Sequence, residues 1–246
     1  SGWESARNEI DRFVFDRLHR EDLRPAEEAA PAPLGRRVHF ALTGLPPDAQ
    51  TAALLQEDGS DSWYEELVDR LLEDPAYGEN QARYWLDLVR YADTVGYHGD
   101  QVHYIAPYRD YVINSLNSNM PFDQFTREQL AGDLLEEPSV QQKIATGYNR
   151  VLQTTHEGGL QPKEYIAIYG ADRVRNVSSV WLGGTVGCAQ CHDHKFDPYS
   201  TKDFYAMKAF FADIDDTRHF KNGTNRNPTN REPEIEILTD AQKIAM

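Results

Sequence analysis

Both cysteines of the 246-residue chain fall in one decapeptide, Val186-Gly187-Cys188-Ala189-Gln190-Cys191-His192-Asp193-His194-Lys195, and any fold of this chain has to present it. Two thiols separated by two residues and followed at once by an imidazole form the attachment pattern of a c-type haem. Each thiol adds across one vinyl group, and His192 then sits beneath the iron as an axial ligand. Gly183, Gly184 and Gly187 loosen the backbone just before it, as close approach to a flat macrocycle requires. A thioredoxin-like dithiol would open a helix after a strand, and no β-rich run precedes Cys188. A zinc site of Cys188, Cys191 and His194 would need a fourth ligand from elsewhere, because there is no second cysteine pair. A disulfide across two residues closes a tiny loop and stabilises little. One covalent haem c is therefore the expected cofactor.

Around the decapeptide the periodicity is helical. Ile10, Phe13, Val14 and Leu18 form a stripe that predicts a helix over about Trp3 to Arg20. Pro25 to Pro33 reads as a connector, and Leu34 to Leu42 as a helix that stops at Thr43-Gly44. Asp48, Asp61 or Ser62, Asp74, Ser139, and Ser200 or Thr201 stand where N-caps belong, and Pro75, Pro107, Pro121 and Pro162 mark helix starts. Two polar, glycine-bearing breaks interrupt the pattern. Ala92 to Ala106 carries Asp93, His98 and His103, and Gln153 to Gly159 carries His156 and Glu157. Such loops are where function concentrates. The expected fold is mainly α, an irregular multi-helix domain whose long functional loops enclose the haem. Residues 1–220 make that domain, with a scaffold over 1–93 and a haem-pocket part over 94–220. The Asn/Thr/Pro-rich stretch 221–246 reads as a linker or the start of a following domain.

The formal charge of -15 argues against a nucleic-acid partner and suits a basic redox partner. No apolar run reaches the roughly 20 residues of a membrane span. Covalent haem c is assembled outside the bacterial cytoplasmic membrane, so a periplasmic or otherwise exported location is expected. No signal peptide is visible; Ser1-Gly2 reads as a cleavage scar, or the chain is a piece of something longer.

His103, then His98, are candidates for the distal iron position, with Met120 as another. Met207 reads as core, and His194 suits a metal or supporting role. His156, Glu157 and Asp93 are candidate acid/base groups if the sixth position is open. Arg173 and Arg175 are candidate propionate partners, and Trp181, with Tyr97 and Tyr165, a candidate for packing on the porphyrin. Three functions follow: an electron-transfer cytochrome domain, a peroxidase- or oxidase-like haem enzyme, and a zinc-stabilised structural domain. A redox partner protein or a following domain is implied, and a small-molecule or carbohydrate substrate stays open.

From Ile10 to about Phe211 the chain resembles the planctomycete cytochrome-associated domain family. The matching stretches are Leu42-Thr43-Gly44-Leu45-Pro46-Pro47, Tyr91-Ala92-Asp93, Pro107-Tyr108-Arg109-Asp110, Met120-Pro121-Phe122-Asp123, Glu157-Gly158-Gly159, Asp172-Arg173-Val174-Arg175-Asn176 and Cys188 to Lys195. The resemblance implies an exported, helical, haem-associated domain that usually continues into another, and it supplies no substrate.

Overall fold

The computed structural model describes residues 6–57, 62–97, 99–155, 157–218, 220 and 230–238. Ten α-helices and three short 3-10 turns make up the regular structure among them, and β pairing is limited to two isolated bridges. The chain divides into two compact units, Ser1–Arg70 and Leu71–Met246.

In the first unit, Asn8 caps α1 (Glu9–Arg20) by accepting the Asp11 N–H at 2.9 Å. The predicted apolar stripe is present but uncovered, with Ile10 and Phe13 72% and 78% exposed. The predicted connector ends early, because Pro31 occupies the first helical position of α2 (Pro31–Thr43). Gly44, at φ 71°, closes that helix in the left-handed conformation glycine tolerates. Gly35 lets α3 (Ala49–Glu57) come close: a Cβ there would lie 2.5 Å from Leu55 Cδ1. The last turn of α4 (Trp63–Leu72) contains the division between units.

The second unit holds the main core. Asp74 caps α5 (Pro75–Leu88), which packs extensively on α6 (Ala106–Asn117). With α7 (Phe122–Ala131), α8 (Val140–Ala145) and the C-terminal end of α9 (Pro162–Trp181) they bury Val89, Tyr108, Tyr111, Val112, Phe125, Tyr148 and Val177. The phenols and indole inside this core need partners. Gln129 accepts from Tyr108 Oη at 2.6 Å and Trp85 Nε1 at 3.0 Å, and Glu128 accepts from Tyr111 Oη at 2.8 Å. A second, smaller core joins α9 to α10 (Thr201–Ala209) through Ala171, Val174, Val186, Ala189 and Phe204.

Segment 230–238, whose composition predicts a linker, lies against this unit. Arg231 is 5% exposed there and Ile237 packs on the main core. None of the described helices is long and apolar enough to cross a membrane.

Candidate functional site

The cysteines are displayed by a tight helical turn, Val186–Gln190, anchored from beneath. Val186 and Ala189 are buried against Ala171 and Val174 of α9 and Phe204 of α10, while Cys188 and Cys191 are exposed free thiols. The turn is also clamped from its sides. Arg175 Nη2 donates to Gln190 Oε1, and Tyr205 Oη donates to the Gln190 carbonyl at 3.3 Å. A Cβ on Gly187 would meet Arg175 Cγ at 2.7 Å, so a side chain there would push the Arg175 clamp aside.

The two histidines after the turn have different roles. His192 is exposed, and its Nδ1 lies 2.8 Å from the Asp193 carbonyl. A carbonyl can only accept, so Nδ1 carries a proton, and in the neutral tautomer Nε2 is the bare nitrogen. His194 is the reverse. Its Nδ1 accepts the backbone N–H groups of Phe196 and Asp197, at 3.2 and 2.8 Å, so the proton sits on Nε2, which donates to Thr185 Oγ1 at 3.0 Å. The Asp197 carboxylate 3.5 Å from Nδ1 therefore faces an acceptor rather than a cation. Both His194 nitrogens are engaged in shaping the loop that leads to α10. The alternative zinc set of Cys188, Cys191 and His194 is not assembled, and among the described residues no three His, Cys, Asp or Glu side chains form a metal-holding group.

The two glycine-bearing breaks do meet. Thr154 N–H donates to the Val95 carbonyl at 2.9 Å, and Gly96 bridges Thr154. Tyr97 packs edge-on against Tyr165, and Thr155 N–H donates to Tyr169 Oη at 2.9 Å. At about 3.6 residues per turn, Tyr165, Tyr169 and Arg173 share one side of α9, and Ala171, Val174 and Ser178 the other. The loops and the cysteines thus occupy opposite faces of one helix.

This separates several expected partners from the decapeptide. His103, placed in the first loop, lies with Nε2 3.2 Å from the Ala92 carbonyl, and burial lowers its pKa. Asp93 accepts from Tyr91 Oη at 2.6 Å, and burial followed by that bond raises the Tyr91 pKa. Glu157 is exposed, its N–H donating to Thr155 Oγ1. His98 and His156 lie outside the described residues. Arg173 does not reach for propionates: it forms a two-bond ion pair with Asp216, the two side chains 4% and 9% exposed. Trp181 does not offer a face to a porphyrin either, because Trp85, Phe122, Phe125 and Tyr148 surround it. Of the predicted set, Cys188, Cys191, His192 and Arg175 come together. Met120 lies beside Tyr111 Oη and Met207 in the core.

Sequence reasoning missed Asp193, Asp216, Arg150 and Arg231. Asp193 Oδ1 accepts the Thr201 N–H at 2.7 Å, tying the decapeptide to the start of α10; an Asp shortly before a capped helix is a local signal for this. The other three act across 43 residues or more, where no spacing rule reaches.

No curated protein and no solved structure matches the chain. The model of the family PSCyt2, described as a protein of unknown function (DUF1549), matches residues 9–216, and the chain belongs to that family.

Proposed function

We propose that unit 2 is an exported c-type cytochrome domain that carries one haem on Cys188 and Cys191 and passes single electrons to a partner protein or a following domain. The reading is carried by His192: with Nδ1–H donated to the Asp193 carbonyl, Nε2 is the nitrogen left for iron. A ligating histidine typically donates its other ring N–H to a carbonyl or carboxylate, which fixes the tautomer and raises its basicity. The two exposed thiols on the same turn suit covalent attachment. When bound, the haem would supply reversible one-electron chemistry at iron. The chain's own part is to hold the turn: Val186 and Ala189 anchor it, and Arg175 and Tyr205 fix Gln190 between the cysteines. Arg175, at the edge of the turn, is also a cation in place for a propionate.

A second reading, a haem enzyme with an open distal face, is favoured by the placement of Met120, Met207 and His103, each committed elsewhere. Co-expression with haem-ligation machinery, followed by carbon monoxide titration of the reduced protein, separates the two. Slow or absent binding supports the carrier, and rapid binding with peroxide turnover supports the enzyme. A protein without covalent haem removes both.

A further inference from the structure

A cavity of about 320 Å³ opens between α7 and α8, and its lining holds no residue of the cysteine turn or of the two glycine-bearing loops. Asp123, Gln124, Arg127 and Glu128 follow one side of α7, Gln142 faces them from α8, and Leu135 adds apolar surface from the link between the helices. Glu128 is 5% exposed. Its Oε1 accepts from Gln124 Nε2 at 2.9 Å and Gln142 Nε2 at 3.3 Å, and its Oε2 from Tyr111 Oη at 2.8 Å. The direction at Gln142 is fixed, because Gln142 Oε1 accepts the Ser139 N–H at 3.0 Å and leaves Nε2 as the donor. All three donors are neutral, and no cation among the described residues pairs with Glu128. The guanidinium that lines the cavity is turned to Asp123 instead, Arg127 Nη2 lying 2.5 Å from Asp123 Oδ2. Oε2, with one donor, keeps a lone pair open. A carboxylate withdrawn from water and met only by neutral dipoles gains most from a cation that donates N–H to it. Two carboxylates against one guanidinium leave the lining net negative, as the whole chain is at -15. A divalent metal lacks its ligand set here, since no third acidic or imidazole side chain joins the two among the described residues. The volume is at the small end of organic-ligand sites.

We propose that the cavity between α7 and α8 binds a small alkylammonium ion, the charged end of a primary amine, with Glu128 as its carboxylate partner and Leu135 against its alkyl body. Haem at the cysteines is not required for it. Thermal unfolding of the full chain, titrated with the chlorides of butylammonium, tetramethylammonium and calcium at ionic strength held with sodium chloride, tests it. Butylammonium is expected to raise Tm saturably in the wild type. Glu128→Gln, which keeps the shape and removes the charge, should raise the half-saturating concentration roughly tenfold or more, the worth of one charge-assisted hydrogen bond. Tetramethylammonium, a cation without N–H, should give no saturable rise. An equal response to tetramethylammonium, an unchanged response in Glu128→Gln, saturation by calcium alone, or no saturation at all overturns the proposal. Should Glu128→Gln not fold, Leu135→Trp takes its place, since Leu135 lies outside both hydrophobic clusters and the larger ring fills the cavity. Side-chain amide NMR then reads the site directly. Movement of the Gln124 and Gln142 amide signals with butylammonium in the wild type, lost in Leu135→Trp, supports it, and signals that stay still or move equally in both proteins overturn it.

Discussion

At the scale of single residues, hydrogen-bond direction separates roles that sequence leaves equal. His192 and His194 stand two apart, yet one donates through Nδ1 and the other accepts there twice. The buried Arg173–Asp216 pair is the clearest structural use of a residue that the sequence offers to a cofactor. Asp216→Ala leaves a buried guanidinium uncompensated, and a loss of about 3–5 kcal/mol is expected in urea unfolding; replacing both partners with Met and Leu costs much less. His103 makes stability depend on pH. Its folded pKa is lowered by burial, with Asp93 and Glu234 pulling it up and Arg231 pushing it down. As pH falls below about 6.5 the unfolded chain binds the proton first. Stability therefore drops below that pH and levels off beneath the folded pKa, and His103→Gln should flatten this part of the curve.

Among the elements, local chemistry was legible and long-range chemistry was not. Asp74-Pro75, Ser139, Pro162 and Ser200 start helices where capping rules place them, because a cap is decided within four residues. The stripe of Ile10 and Phe13 on α1 lies open, since amphipathic spacing says that a face exists and nothing about what covers it. The two loops were recognisable by their glycines and histidines. Their junction through Gly96 and Thr154, on the face of α9 away from Cys188, depends on tertiary packing. Gly132 shows how tightly such packing is set, for a Cβ there would lie 2.3 Å from the Gln142 backbone carbonyl. Backbone cannot yield as a side chain tip can, so Gly132→Ala is expected to destabilise by roughly 1–3 kcal/mol, and more than Gly187→Ala, which displaces only the Arg175 side chain. Paired thermal melts compare them.

On the scale of the molecule, the cysteines sit outside both hydrophobic clusters of unit 2. The fold should therefore survive their loss: a Cys188→Ser, Cys191→Ser double variant is expected to keep its helical circular dichroism and a cooperative melt within a few degrees of the unmodified chain. A molten profile would place the thiols in the core after all. The chain thus has a helical scaffold and, on opposite sides of α9, a surface turn that displays both thiols and the junction of the two glycine-bearing loops. The central claim is that the turn carries haem covalently. Export with haem-ligation machinery, then intact mass and a pyridine haemochrome spectrum after acid-acetone extraction, tests it most directly. The account predicts a mass raised by one haem, retained through extraction and lost in the double serine variant. An apoprotein mass, or colour that the extraction removes, would contradict it.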